Sequence, residues 1–206
     1  MNRWIRRRGR SMAEPCQLYL NVAISRARLE DFLRQEAGSA ARFEDLDEWL
    51  DRNPQHRGGL TWRELCELGQ GTTAAGWVAG WSRHLRSPAW NHYDDWTQTW
   101  SLGVLEFRDS RDWIVGVLNV LRRVAEHKDL PGTDYLLIYE YLFGKGSVVA
   151  AVELTPGASR ILLEQPPPRV MAEADIVMSR LIRAMDVTAT YAVQRISDTD
   201  THKRRC

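Results

Sequence analysis

Four residues of this chain are of types that could do chemistry together: Cys66, His92, Asp94 and Asp95. A thiol nucleophile needs a base to take its proton and a carboxylate to orient that base. Cys66 as nucleophile, His92 as base and Asp94 or Asp95 as orienter would fill those roles. Their spacing gives no support to the grouping. Cys66 lies in Glu-Leu-Cys-Glu-Leu, which reads as a buried helix position, and no signature of a thiol-dependent enzyme surrounds it. Other searches end the same way, with no P-loop, no G-x-G-x-x-G, no H-E-x-x-H and no G-x-S-x-G. The cysteines Cys16, Cys66 and Cys206 show neither metal-type spacing nor a disulfide framework. No catalytic residue, metal or cofactor is therefore assigned, and an enzyme centred on the 90–96 segment is kept as the alternative reading.

The same segment has a second use. The chain is rich in tryptophan, with 9 in all, and eight fall between Trp49 and Trp113. Most read as an aromatic core. Trp90 and Trp96 differ, because they flank Ser-Pro-Ala-Trp-Asn-His-Tyr-Asp-Asp-Trp, a stretch without periodicity that reads as a loop. Trp and Tyr dominate binding hot spots, so Trp90, Tyr93 and Trp96, with Asp94 and Asp95, are candidate partner-binding residues.

Charge supplies the other half of a docking surface. The net charge is +1, but the arginine-rich residues 1–10 and the basic 195–206 hide an acidic body. Segment 30–51 holds eight acids against Arg34 and Arg42, and Glu44, Asp45, Asp47, Glu48 and Asp51 crowd its end. Such a face fits a basic protein partner. Nucleic acid is a poor fit, since the basic residues form tails and not a folded basic surface. Only three of the 28 basic residues are lysine, an arginine bias that suggests a GC-rich bacterial genome.

These residues need elements to hold them. Residues 1–15 read as a disordered basic arm, with Met12 a possible start, and 198–206 as a disordered tail; 16–197 read as one domain. Residues 17–24 alternate as a half-buried strand, and Ser25 offers an N-cap to the helix after it. A helical insert spans about 40–88. It contains Phe43–Asp51, a capping box at Thr61–Glu64, and a helix over 72–86 whose Gly76 and Gly80 suit close helix packing. Next come a strand over 97–107, a long helix starting at Asp109 or Ser110, and a hairpin through Gly144-Lys145-Gly146. Pro156-Gly157 turns into the strand Ser159–Gln165. A helix follows with Ile176, Val177, Leu181, Ile182 and Met185 inward, then a last strand over 188–196.

The expected fold class is α+β, a mostly antiparallel sheet with helices packed on one face. No apolar segment is long enough to span a bilayer and no secretory leader is evident, so a cytoplasmic protein is expected. The profile resembles that of bacterial immunity proteins, which neutralise a cognate toxin by binding it. The expectation is a non-enzymatic toxin inhibitor of that type.

Overall fold

The structure, a computed structural model, describes residues 16–37, 43–53, 71–82, 89–107, 111–140, 147–180 and 183. Strands β1 (Cys16–Ala23), β2 (Ala89–Asp94), β3 (Thr99–Phe107), β4 (Asp134–Glu140), β5 (Val148–Thr155) and β6 (Ala158–Ile161) form one sheet in the order β2-β3-β1-β4-β5-β6. Every pairing is antiparallel. The helices are α1 (Arg26–Arg34), α2 (Asp45–Arg52), α3 (Ala74–Ser82), α4 (Arg111–Leu121) with a 3-10 extension over Arg122–Glu126, and α5 over 168–180. This is the α+β class. Both tails, the capping box, Cys66, the Gly-Lys-Gly loop and the 188–196 strand lie outside the described residues.

Alternating side chains divide the sheet into two faces. Leu18, Leu20 and Val22 of β1 join Trp100 and Leu102 of β3 and Leu136 and Ile138 of β4 in the main core, under α1 to α4. The intervening Tyr19, Leu137 and Ala151 face the other way and meet α5. Helices α1 to α4 thus cover one face as expected, and α5 adds cover on part of the second. Strand β1 is buried on both sides, where its sequence alternation suggests only one.

The inward stripe of α5 also differs from expectation. Val170, Ala174 and Met178, four apart, are the buried positions, while Ile176 is 52 % exposed. Spacing decides which face of a helix turns inward, and the larger Ile176 is off that stripe. Leu181, Ile182 and Met185 are outside the described side chains.

Helix α4 is apolar almost all round, and its described side chains from Ile114 to Leu121 are all buried. Such a helix has to be covered on every side. On the sheet side lie the core strands, and on another Trp77 of α3 approaches so closely that a Cβ at Gly116 would meet its ring at 2.9 Å. The close helix contact therefore depends on Gly116. Of Gly76 and Gly80, expected to serve that purpose, Gly76 is crowded by Thr72 of the preceding turn at 2.8 Å, and Gly80 has nothing within 4 Å of its would-be Cβ. Ser25 does take the N-cap position of α1, but without a side-chain capping bond. Its N–H donates instead to Asp129 Oδ1 at 2.9 Å.

Two predictions follow from this packing. Gly116→Ala should destabilise the fold by about 1–3 kcal/mol through overpacking, whereas Gly80→Ala, on an open helix surface, should be neutral or add up to about 1 kcal/mol; urea midpoints measure both. The second concerns His127, whose ring lies 5.9 Å from that of Phe32 and whose buried Nδ1 has no hydrogen-bond partner among the described residues. Burial holds its pKa below the usual histidine value, opposed by Glu126 and assisted by Arg28. A depressed histidine pKa means that protonation favours the unfolded chain. Stability should be level above about pH 6.5, the ordinary histidine value, and fall as pH drops toward the folded-state value. His127→Gln should flatten that decline, read as the urea midpoint against pH.

Candidate protein-docking site

Helix α2 is short and sharply two-sided. Leu46, Trp49 and Leu50 are buried in the main core. Glu44, Asp47, Glu48 and Asp51 are exposed. Asp45, Asp47 and Glu48 fall in the first turn, where the helix dipole favours negative charge, and Arg52 in the last, where it favours positive. Arg52 also bonds Glu48 at 2.9 Å, one turn away.

Asp45 is the exception among the five acids. Its two oxygens accept from the guanidinium of Arg122 at 2.9 and 2.8 Å, and Oδ2 also accepts the Ile161 N–H at 2.6 Å. Arg122 is 1 % exposed. It donates further to the Ser159 hydroxyl and carbonyl at 3.0 and 3.1 Å, and lies 3.9 Å over the Phe43 ring. Asp45 was a candidate partner-binding residue; it is a fastener between α2, the 3-10 segment and β6. A buried guanidinium needs its charge compensated, and Asp45 compensates it.

The fastener leaves a groove. Between α2 and residues 160–164 lies a cavity of about 360 Å³, floored by Ile161, Leu162 and Leu163 and edged by Glu48, Arg160 and Glu164. A slot of about 230 Å³ continues from it, reaching Trp49, Arg52 and the start of β5. Leu163 is 40 % exposed in this groove. Acids and apolar surface thus adjoin at the β6 edge of the sheet. Leu162 and Leu163 were missed as site residues because Ser159–Gln165 reads as one continuous strand. The strand ends at Ile161; Leu162 makes one last bond to the Ala151 carbonyl at 2.8 Å, and Leu163 lies beyond the ladder.

The aromatic segment is elsewhere and is not a loop. Ala89–Asp94 is the edge strand β2, and residues 95–98 turn into β3 with Gln98 at φ 50. Its residues are held partly by one another and partly by Ile24 and Arg26. Tyr93 donates to the Ile24 carbonyl at 3.0 Å, Asp94 Oδ1 accepts the Trp96 and Thr97 amides at 2.8 and 3.3 Å, and Asp95 pairs with Arg26 at 2.6 Å. The turn amides of Trp96 and Thr97 keep the Asp94 carboxyl below its usual range, and the Arg26 bond does the same for Asp95. His92 stacks on Trp90 at 5.5 Å. Trp96, at the tip, is 94 % exposed. Asp94 and Asp95 are thus bonded to the turn amides and to Arg26, and Cys66 lies outside the described residues.

Acids and tryptophans do not form one face. Strands β2 and β6 are opposite edges of the sheet, five steps of about 4.8 Å or roughly 24 Å apart. Trp90 and Trp96 are therefore remote from the surface beside α2, where Leu162 and Leu163 line the groove. A third cleft, of about 160 Å³, lies beside α5 on the second face, lined by Tyr19, Asn21, Tyr135 and Glu173 among others. Burial there, with Glu173 and Asp134 nearby, pushes the Tyr19 hydroxyl up, so it stays protonated. Among the described residues no group of three or more His, Cys, Asp or Glu side chains could hold a metal ion, and no helix is long and apolar enough to cross a membrane.

Compared with protein-family models, curated proteins and solved structures, the chain matches none. Its functional reading rests on the geometry above.

Asp45→Asn tests whether the fastener holds the site together. Removing the charge should leave buried Arg122 uncompensated and cost about 3 kcal/mol, measured by urea unfolding. Glu44→Gln, on the exposed side of the same helix end, should cost less than about 0.5 kcal/mol.

Proposed function

We propose that this chain is a non-enzymatic protein-binding protein that neutralises a basic partner by occupying it, in the manner of a bacterial immunity protein acting on a toxin in the cytoplasm. One observation carries the reading: α2, whose outer face carries the exposed acids, borders through Glu48 an apolar groove of about 360 Å³ with Leu163 open in its floor. Apolar contact supplies affinity at the centre of an interface, and charge around it supplies encounter rate and partner choice. Acids outnumber Arg160 along this rim, which favours a basic partner.

The two parts of the surface have separable signatures. Exposed charges act through association and are screened over about 10 Å at 0.1 M salt. An anchor in a groove acts mainly through dissociation. With the partner captured by pull-down and purified, the triple reversal Glu44→Lys, Asp47→Lys, Asp51→Lys should slow association and flatten its salt dependence. Leu163→Ala should speed dissociation roughly tenfold, about 1.4 kcal/mol. Trp96→Ala, on the far edge, should change neither rate. A partner that is acidic, or whose rates ignore both charge reversal and salt, defeats the proposal. If the captured partner is a toxin, the wild-type chain should suppress its activity in proportion to the complex formed.

A further inference from the structure

Strand β6 covers only half of its neighbour. It pairs with Val152 through Thr155 of β5, after the Pro156-Gly157 turn with Gly157 at φ 80. The Leu162 N–H reaches the Ala151 carbonyl at 2.8 Å, and the chain then departs. Among the described residues, the outer edge of 148–150 pairs with no strand. The slot of about 230 Å³ lies along that edge, between residues 148–151, the departing segment 162–165 and the end of α2 at Trp49 and Arg52.

We infer that this edge receives an extended, basic segment of the partner as an added strand, laid in line with β6. The inference rests on the acidic-surface reading above and adds a backbone mode of recognition to it. An added strand supplies the N–H and C=O groups that a bare edge lacks, while alternate side chains point to opposite faces. One set would enter the slot beside Trp49 and Leu162. The other would emerge beside Glu164 and α2, whose exposed acids outnumber Arg52, so that lysine or arginine fits there. The edge is also limited in length. The β4–β5 register runs from Ile138↔Ala150 to Tyr139↔Val148 and skips Val149, a bulge that bends the strand and discourages open-ended pairing. The occupant is therefore a short segment. A second copy of this chain is disfavoured by charge, since it would bring another acidic α2 toward the first.

The test uses the full chain and three synthetic heptapeptides. The first alternates lysine and valine, the second alternates glutamate and valine, and the third is the lysine peptide with alternate backbone nitrogens methylated. Hydrogen exchange of the amides in 148–151 and binding isotherms are read together. The lysine peptide should bind and slow exchange at those amides. Backbone methylation should weaken it about tenfold or more, the effect of losing one or two ladder bonds. The glutamate peptide should bind about tenfold or more weakly than the lysine peptide, as expected when a like charge replaces a complementary one. If the methylated peptide binds as well as its parent, strand addition is overturned while the acidic surface still selects basic ligands. If the glutamate peptide binds as well as the lysine one, the edge pairs strands but the basic-partner reading is overturned. Failure of all three, or protection at 148–151 in a peptide-free dimer, also rejects the inference, the latter by assigning the edge to a second copy.

Discussion

The Arg122–Asp45 pair is the constraint on which the proposed binding surface depends. A guanidinium only 1 % exposed is costly to desolvate and persists where its donors and charge are met. Here one carboxylate takes two of the donors, Ser159 takes others, and Phe43 covers the flat face. Because Asp45 is drawn inward, α2 is held against β6 at a set rotation. The remaining acids are thereby turned outward, and the groove opens between helix and strand. The same carboxylate accepts the Ile161 N–H at the last residue of β6. The fastener thus sits at the point where the chain leaves the sheet and creates the slot.

A second buried pair holds a different junction. Lys128, with its side chain fully buried, donates to Asp134 Oδ2 at 2.5 Å and to the Ala23 carbonyl at 3.1 Å. Asp134 Oδ2 in turn accepts the Ala23 N–H at 2.9 Å. The end of β1, the start of β4 and the loop before it are joined through one oxygen. Both networks link residues far apart in sequence, where hydrophobic packing fixes proximity but not rotation or register. Directional bonds to a planar guanidinium and an ammonium supply that missing restraint.

Much of the fold was legible because periodicity is a local signal. The alternation of Leu18, Leu20 and Val22 marked β1, the stripe through Leu46, Trp49 and Leu50 marked α2, and Pro156-Gly157 marked a turn. What was hidden depends on distant partners. Asp45 looked like one more acid on a solvated face, since Arg122, 77 residues away, has no local signature. Strand β2 reads as a loop because an edge strand alternates weakly: Asn91 and His92 in its middle are both exposed, and Asn91 accepts from Trp100 Nε1 at 2.8 Å. On α5 the expected inward Ile176 is exposed and Val177 is partly buried, while Val170, Ala174 and Met178, four apart, pack against the sheet. The charge imbalance of 30–51 was visible, but not its distance from the tryptophans, which only the strand order sets.

The two edges of the sheet carry different devices. On β2 the polar Asn91 and His92, the Asp94 turn and the Arg26–Asp95 pair occupy the edge and its tip with groups already engaged nearby. At the other edge β6 is four residues long, β5 extends beyond it, and the Val149 bulge bounds the stretch that pairs with no outer strand among the described residues. Short strands and bulges are ordinary ways to keep an edge from templating aggregation. They also define how much edge a ligand can reach and in what direction. Binding loses affinity when loops must be ordered, and here the walls of the slot are a helix bolted by Arg122 and a strand paired on its inner side. A partner would meet a surface whose conformation is already set, so its selectivity would come from charge at the rim and length at the edge, not from remodelling of this chain.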